Sequence, residues 1–559
     1  MSFILKINNL FNFFFAIIFS GKLVLANQTV FENYDSFRNS KEYLSEFVIT
    51  DEKNIKWKNF FSNKSFKEIE LFLQTMPINT SDKMIQEIIF EILVSKKTFD
   101  RNLINDDDDK ILFEIFINKL FDTGRLNEIE LVYSQTSELE SNSFILKKMI
   151  EGNLLRNRHS EACKILQKVN QDPTIFGKIM IICNIINNKF DQAKLGLQLL
   201  KEQNQPGDIF FIDLAFSLMS DKDISESSDL KKNLDQVKEL NPIIMSSLQF
   251  ADISPNFEQI EKLSTSGLLF VLSNPSVDTE LKIFCSEMLV KQGRISADML
   301  SEAYQLSSFD EKEIQKAESL YKSLSPVRAR PLLYQSIIRD NKPESKFRKI
   351  IALIKISMND NLLPEISFLV GDLLDFEKYV RNHEDTILIS KMFQSRKKFI
   401  EARSILNKFY DSPKSDVRNL AIDISEFLLT NKLDYYSFEK QLEKVTDSKS
   451  IESTFTKKVL MLLIDELDLN QNLLDKLLNT KISTSIKSND IKNFFLASKL
   501  SDEKDFFNSL SLLFKIVDNK NLTKLNLIET YSVLTILKNL GLENEYKKLA
   551  SRILLYKCK

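Results

Sequence analysis

The chain contains one short phrase four times: GRLNEI at residues 124–129, NRHSEA at 157–162, NKFDQA at 188–193 and KKFIEA at 397–402. In the first three copies Glu128, Glu161 and Gln192 are 33 and then 31 residues apart. A period of ~34 residues with two helices per unit is typical of tetratricopeptide-like repeats. Most copies combine a turn, a bulky side chain, polar residues and a small residue, although Ile129 and Ile400 depart from this order. We therefore expect an all-α fold, an α-solenoid of antiparallel helical hairpins.

Glycine and proline are scarce, with 10 Gly and 11 Pro among 559 residues. Phosphate-binding loops, tight hairpins and nucleophile elbows depend on glycine for positive φ angles or close backbone approach. The sequence also lacks the Gly-x-Ser-x-Gly, Walker A, dinucleotide-binding and His-Glu-x-x-His motifs. We therefore expect no enzyme activity, no catalytic residues and no bound cofactor.

The 76 basic and 78 acidic residues give a formal net charge of −2. Nucleic-acid-binding domains usually carry a basic excess, so we expect no nucleic-acid partner. The 43% apolar and 28% charged content suits an extended core with a charged surface.

The N-terminus has the pattern of a secretory signal peptide. A weakly basic start precedes an almost unbroken apolar segment at residues 10–19, and Val24 and Ala26 occupy the −3 and −1 positions of a signal-peptidase site. The apolar segment is shorter than the ~20 residues of a spanning helix. We expect residues 1–26 to be removed, which gives a periplasmic protein that begins at Asn27 and has no membrane span. The alternative is an uncleaved N-terminal anchor.

Composition and turn signals divide the remaining chain into four regions. Residues 27–60 form a polar N-terminal leader, and residues 61–220 form a helical-hairpin repeat region. A linker and a middle helical region follow at 221–345, where Asx-Pro and Ser-Pro steps separate shorter helices. Residues 346–559 form a C-terminal helical region with long amphipathic helices.

Two of the four cysteines, Cys163 and Cys183, belong to consecutive predicted helices of one hairpin. At 1.5 Å rise per residue, their distances from the intervening turn differ by on the order of 4–5 Å along the helix axes. One outcome is a disulfide between Cys163 and Cys183, which suits an exported protein. The other is a pair of buried free thiols in the hairpin core. Cys285 and Cys558 are distant in sequence, and we expect them to be unpaired.

The sequence contains two residues with a spacing that zinc sites use. His159 and Cys163 are four residues apart on one predicted helix, and Cys183 is the only obvious third ligand. A structural zinc site needs four ligands. We therefore expect no metal site, with His159 at a hairpin turn.

Two charged clusters have both a structural and a ligand-binding interpretation. Four aspartates at 106–109 precede a predicted helix at 110–121, where they suit capping of the helix and the positive end of its dipole. Calcium binding is the alternative, although the spacing and the glycine of an EF-hand are missing. The segment SPVRARP at 325–331 is interpreted as a solvated, proline-bounded turn, with binding of an anionic partner group as the alternative.

Residues 161–200, which include Cys163 and Cys183, resemble a group of uncharacterised exported α-helical proteins of Gram-negative bacteria with tetratricopeptide-like repeats. The segment SPVRARPLLY at 325–334 is similar to a second part of that group. Some members are labelled antifreeze glycopeptide polyprotein, although the Ala-Thr repeat that this label implies is absent here. The resemblance covers about a tenth of the chain. It implies an exported helical-repeat protein.

These observations favour an exported interaction scaffold that binds another envelope protein through a helical-repeat surface. The alternative is an envelope enzyme or enzyme subunit whose site the known motifs do not reveal. A pocket of polar residues with perturbed pKa values would favour the enzyme. A broad surface with exposed aromatic residues would favour the scaffold.

Overall fold

The computed structural model describes residues 55–135, 139, 142–169, 173–203, 208–220, 228–408, 413–447, 488–518 and 520–558. Within these ranges the regular secondary structure is helical, without a β-strand, which confirms the all-α prediction. The predicted signal peptide and most of the predicted leader lie outside the described residues. No helix of the described part is long and apolar enough to cross a bilayer.

The chain divides into two compact units. The described part of unit 1 reaches Leu73 and resumes from Ile88 to Cys285, whereas unit 2 contains Gln74–Glu87 and the described residues from Ser286 onward. The region boundaries expected near residues 220 and 345 stay predictions.

The helices are given in chain order, first for the part of the chain before residue 292. They are α1 (Ile55–Lys58), α2 (Phe66–Gln74), α3 (Lys83–Val94), α4 (Asp106–Asp122), α5 (Leu126–Gln135), α6 (Ser143–Leu155), α7 (His159–Lys168), α8 (Pro173–Ile186), α9 (Phe190–Gln203), α10 (Ile209–Leu218), α11 (Ser228–Leu234), α12 (Pro242–Phe250), α13 (Phe257–Glu261), α14 (Thr265–Ser273) and α15 (Thr279–Lys291).

The later helices all belong to unit 2. They are α16 (Ala297–Leu306), α17 (Glu311–Gln315), α18 (Ala317–Leu320), α19 (Pro326–Arg339), α20 (Pro343–Met358), α21 (Leu363–Val370), α22 (His383–Ser395), α23 (Phe399–Asn407), α24 (Pro413–Thr430), α25 (Tyr435–Asp447), α26 (Ser488–Asp502), α27 (Phe506–Val517), α28 (Leu527–Asn539) and α29 (Glu543–Lys557). Short 3-10 turns lie at Tyr321–Ser323, Phe376–Lys378 and Leu522–Lys524.

Each copy of the repeated phrase forms the same junction between two helices. Its first residue is left-handed, with φ of 73° at Gly124, 59° at Asn157, 57° at Asn188 and 59° at Lys397. The next amide donates to the carbonyl five residues earlier at 2.8–2.9 Å, which is the Schellman bond that ends a helix. The small residue that closes three of the copies is fully buried: Ala162, Ala193 and Ala402. The phrase therefore ends one helix, and its small residue packs the next helix against the core.

The same junction also occurs at positions where the repeated phrase was not recognised in the sequence. The left-handed residues are Asp252, Gly293, Asn361, Lys504 and Gly541. In each case the next amide again donates to the carbonyl five residues earlier, at 2.8–3.0 Å. Gly, Asn and Asp adopt this conformation more readily than other residues. One kind of turn thus joins helices in both units.

The four aspartates at 106–109 form the first turn of α4, so the predicted helix start at residue 110 is wrong by four residues. Asn105 is the N-cap, and its side chain accepts hydrogen bonds from the amides of Asp107 and Asp108. Negative charge in the first turn of a helix is stabilising. The predicted dipole role agrees with the position of the aspartates, whereas the predicted capping role is wrong, because Asn105 is the N-cap.

The interpretation of residues 325–331 as a proline-bounded turn is wrong, because this segment begins α19. Pro326 occupies the first helical turn, where its missing N–H costs nothing. Pro331 lies inside the helix and removes one backbone hydrogen bond. Full burial of Leu332, Leu333 and Ile337 on the same helix offsets that loss, at roughly 1.5–3 kcal/mol per side chain.

Candidate functional site

Cys163 of α7 and Cys183 of α8 lie at disulfide distance in unit 1. Their Cα atoms are 5.6 Å apart and their sulfur atoms 2.02 Å apart. Both side chains are buried in one apolar cluster with Ala162, Leu166 and Ile179. The hairpin thus brings together the pair that the sequence singled out. Oxidation in the cell depends on the compartment and stays a prediction.

His159 is the first residue of α7 and packs against α12. Its Nε2 atom lies 3.3 Å from Ser246 Oγ, and its ring centroid is 4.5 Å from that of Phe250. Burial lowers the pKa of His159. Helix packing accounts for its position. Among the described residues no group of three His, Cys, Asp or Glu side chains is arranged to hold a metal ion.

The remaining two cysteines, Cys285 and Cys558, are buried and form no disulfide within the described part of the chain. Burial raises the pKa of the Cys285 thiol well above its usual value. A thiol with a raised pKa is a poor nucleophile at neutral pH, because the thiolate is the reactive form. Cys285 therefore has the properties of a core residue.

Arg330 of α19 is almost completely buried and binds two carboxylates of unit 2. Its Nε donates to Glu287 Oε1 at 2.6 Å, and its Nη2 contacts the other oxygen of the same carboxylate. Its Nη1 donates to Asp360 Oδ2 at 2.7 Å. The basic segment at 325–331 therefore does hold an anionic group, and that group belongs to the protein itself. Arg328, by contrast, is partly exposed and lies 3.4 Å from Glu313.

The buried side chain of Tyr304 hydrogen-bonds to this ion pair, and that of Gln335 hydrogen-bonds to the backbone of Tyr304. Tyr304 of α16 donates from its hydroxyl to Glu287 Oε1 at 2.9 Å. Burial raises the pKa of Tyr304, and so does Glu287, which keeps the hydroxyl protonated as a donor. Gln335 donates to the backbone carbonyls of Tyr304 and Ser307 at 2.8 Å each. Because every charge here has a partner, we interpret the network as structural.

Glu365 is a carboxyl group of unit 2 with a raised pKa and a buried oxygen that lacks a side-chain partner among the described residues. It is the third residue of α21, just after the left-handed Asn361. The residue is half-buried, yet its Oε2 atom is buried without a hydrogen-bond partner in the described part of the chain. Burial raises the pKa of Glu365 to about 7, against the opposing charges of Lys291, Arg552 and Lys83.

Glu365 was not among the residues predicted from the sequence, although the sequence contains a signal for it. Residues 361–366 read NLLPEI, and Glu365 stands at the fifth position of the repeated phrase. Other residues at that position are Glu128, Glu161, Gln192 and Glu401. Glu161, Gln192 and Glu401 are exposed. The carboxyl group of Glu365 differs because α29 supplies charged and aromatic neighbours to it.

Arg552 and Tyr556 of α29 interact electrostatically with Glu365. Arg552 Nη2 lies 2.6 Å from Asp82 Oδ2, whereas its Nε is buried without a hydrogen-bond partner among the described residues. The Tyr556 hydroxyl oxygen is likewise buried, and the backbone of Leu363 lies close enough to lower its pKa. Burial raises the pKa of Tyr556, and the charge of Glu365 adds to this effect.

A second feature of unit 2 is a set of exposed large side chains in the first turns of α23 and α25. Five residues separate α23 from α24 and four separate α24 from α25, so consecutive helices run antiparallel. Arg403 of α23 binds Asp423 of α24 at 2.7 Å, and Lys444 of α25 lies 3.6 Å from Asp416 of α24. The first turns of α23 and α25 therefore lie at the same end of this three-helix group.

At that end three large side chains face solvent. Ile400 is 76% exposed, Tyr435 50% and Tyr436 80%. We call these three residues the Tyr436 surface. Ile400 is also one of the two residues that depart from the repeated phrase, since it occupies a position that is polar in the other copies. Its exposure therefore has no explanation in the packing of the hairpin.

No protein family, curated protein or solved structure matches this chain.

Proposed function

We propose that this protein is an exported, non-enzymatic scaffold that binds another envelope protein. The observation that carries the proposal is the Tyr436 surface, in which an aliphatic and two aromatic side chains are exposed at one end of three helices. Tyrosine is enriched at protein interfaces, where its ring packs and its hydroxyl stays hydrogen-bonded. An exposed cluster of large apolar side chains usually marks an interaction site.

The surroundings of the Tyr436 surface suit a protein partner of mixed charge. Lys397 and Glu401 flank Ile400, and Lys432 and Glu439 flank the two tyrosines. Interfaces commonly have an apolar centre and a polar rim of this kind. A nucleic-acid partner would call for a one-sided basic surface.

The wider architecture that we propose is an α-solenoid of tetratricopeptide-like hairpins. Its support is the left-handed junction, which recurs at nine positions that include Asn157, Asn188, Gly293 and Lys397. Repetition of one junction gives successive helix pairs similar geometry, as in repeat proteins.

Export is part of the same proposal. The signal-like segment at residues 1–26 supports it, and so does the placement of Cys163 and Cys183 at disulfide distance. N-terminal sequencing of the native protein should find Asn27 as the first residue. A native protein that begins at Met1 contradicts cleavage.

The scaffold proposal is tested by crosslinking and capture from the native envelope. The wild type is compared with a variant that carries Ile400→Ser, Tyr435→Ser and Tyr436→Ser. A matched control carries Leu195→Ser and Leu199→Ser, which replace exposed leucines of α9 that are 59% and 52% exposed. We expect a partner captured by the wild type and the control to be lost with the triple variant. Equal capture by all three proteins would count against the Tyr436 surface.

An envelope enzyme or enzyme subunit is the second candidate function, and Glu365 is the observation in its favour. A carboxyl group with a pKa near 7 suits general acid–base catalysis at neutral pH. Incubation of envelope extract with the wild type and with Glu365→Gln, followed by mass spectrometry, tests this candidate. Products that form only with the wild type would support an enzyme, whereas identical product profiles favour the scaffold.

A further inference from the structure

Unit 2 includes one short segment that is distant in sequence from the rest of it. Residues Gln74–Glu87 belong to unit 2, whose remaining residues begin at Ser286. We call Gln74–Glu87 the strap. The chain on both sides of the strap belongs to unit 1. Non-covalent contacts must therefore hold the strap on the rest of unit 2.

The first of these contacts is an ion pair between Asp82 of the strap and Arg552 of α29. Arg552 Nη2 lies 2.6 Å from Asp82 Oδ2, although the two residues are 470 positions apart. The side chain of Asp82 is 11% exposed and that of Arg552 27%. A hydrogen bond between two charged groups is stronger than one between neutral groups, and partial burial reduces its screening by salt. This ion pair therefore links the strap to α29.

The second contact lies at the junction between α15 and α16. Gly293 is left-handed there, with φ of 69°. A Cβ added at Gly293 would lie 2.8–2.9 Å from the Cγ, Cδ and Cε atoms of Lys83. The stem of Lys83 thus passes directly over the backbone of Gly293, and the missing side chain of the glycine leaves room for it.

The strap also has hydrogen bonds of its own. Asp82 Oδ1 accepts the amide of Met84 at 3.0 Å at the start of α3. The side-chain amide of Gln86 donates to the carbonyls of Ile78 at 2.7 Å and Thr80 at 3.1 Å. These bonds lie within the strap, so they do not depend on Arg552. The strap can therefore keep its shape when its contacts with the rest of unit 2 break.

We propose that the strap opens and closes as one piece, and that the ion pair between Asp82 and Arg552 is the latch that keeps it closed. Segments held by few contacts open locally, without unfolding of the whole protein. Three apolar side chains of the strap are buried in the closed state: Met76, Met84 and Ile85. Opening exposes them together with the junction at Gly293. The strap is thus a conformational device that covers or uncovers apolar surface of unit 2.

Hydrogen–deuterium exchange of the full chain, followed by mass spectrometry, tests the latch in Asp82→Asn and Arg552→Gln. Asparagine caps a helix as well as aspartate does, so Asp82→Asn removes the charge and keeps the start of α3. We expect peptides that cover residues 76–87 to exchange at least about tenfold faster in both variants. Peptides of α8 in unit 1 should exchange as in the wild type. The double variant should be no faster than either single variant, because each alone breaks the pair.

Two controls separate the latch from general effects of substitution. Arg348→Gln removes another arginine of unit 2, which binds the exposed carboxylate of Glu318, and should leave exchange of the strap unchanged. Gly293→Ala and Gly541→Ala strain the backbone alike, since their φ angles are 69° and 66°. An added Cβ meets the strap at Gly293 and no atom within 4 Å at Gly541. We therefore expect faster exchange of the strap with Gly293→Ala than with Gly541→Ala.

Two results would overturn the proposal. The first is exchange of residues 76–87 at the wild-type rate in both Asp82→Asn and Arg552→Gln, which would mean that the ion pair is not a latch. The second is equal acceleration of the strap and of α8 in these variants, which would mean that the whole protein opens and the strap does not open by itself.

Discussion

The guanidinium of Arg330 binds the carboxylate of Glu287 inside unit 2 through two contacts, with Nε 2.6 Å from Oε1 and Nη2 next to Oε2. The side chain of Arg330 is 2% exposed and that of Glu287 5%. Charges this deeply buried have lost most of their hydration, so each depends on the other for its stability. Tyr304 and Asp360 complete the network.

We predict that Arg330→Met lowers the free energy of unfolding by about 3–5 kcal/mol, because it leaves Glu287 buried without its cation. Urea unfolding of the purified protein measures the change. The control Arg328→Met removes a half-exposed arginine that lies 3.4 Å from Glu313, and should cost under ~1 kcal/mol. The double variant Arg330→Met, Glu287→Met should recover part of the loss. Similar losses for Arg330→Met and Arg328→Met would contradict the buried-pair interpretation.

We predict that ionisation of Glu365 lowers the free energy of unfolding of unit 2 as the pH rises. Burial raises its pKa from the ordinary 4.5 to about 7, so the folded chain binds this proton more tightly than the unfolded chain does. The resulting stability is fully present below about pH 4.5 and is lost as the pH rises through about 7, by about 3 kcal/mol.

Urea unfolding over that pH range measures this effect. Glu365→Gln should flatten the dependence, because an amide does not titrate there. Glu401→Gln changes an exposed residue at the same position of the repeated phrase and should leave the dependence as it is. A Glu365→Gln curve that follows the wild type at every pH would rule out a titrating Glu365.

We predict that glycine is the more stable residue at two left-handed junctions, positions 397 and 541. Lys397→Gly should raise the free energy of unfolding by up to about 1 kcal/mol, because relief of ~1–2 kcal/mol of strain exceeds the added chain entropy. Gly541→Ala should lower it by about 1 kcal/mol, since an added Cβ meets no atom within 4 Å and only the backbone is strained. Thermal or urea unfolding reports both changes.

Gly177→Ala is the control for these two variants. Gly177 lies within α8, where an added Cβ also meets nothing within 4 Å, and alanine there should stabilise the helix by roughly 0.5–1 kcal/mol. A stabilising Gly541→Ala would show that the junction does not require a left-handed residue.

We predict that Cys163 and Cys183 are bridged in protein isolated from an oxidising compartment. Closing a loop with a sequence separation of 20 stabilises the native state by on the order of 3 kcal/mol in the chain-entropy model. Intact-mass analysis and peptide mapping without reductant should find one bridge, and Cys285 and Cys558 as free thiols. Free thiols at 163 and 183 in exported material would mean that the pair is core packing only.

The junctions between helices were predictable because their cause is local. Asn157 and Asn188 tolerate the left-handed conformation, and the alanines that follow them fit against the core. At residues 361–366 the same junction was missed, because Pro364 replaces the polar residue of the phrase. The left-handed Asn361 identifies that copy in the structure.

The roles of Arg330 and Glu365 could not be derived from neighbouring residues. Glu287 is 43 residues away from Arg330, so the segment between Pro326 and Pro331 reads locally as a basic turn. In the folded protein, packing of the helices places Arg330 of this segment in a buried ion pair with Glu287. Ile400 was different: its departure from the polar pattern was visible in the sequence, and its high exposure appears only in the structure.

The central claim is that the Tyr436 surface contacts a protein partner, and site-specific photocrosslinking in the native cell tests it most directly. A photoreactive phenylalanine, p-benzoylphenylalanine, is placed at position 436, and in a control at the exposed position 316. We predict a discrete covalent adduct with one envelope protein from position 436 and none from position 316. A folded, exported protein that forms no adduct at position 436, or the same adducts at both positions, would contradict the claim.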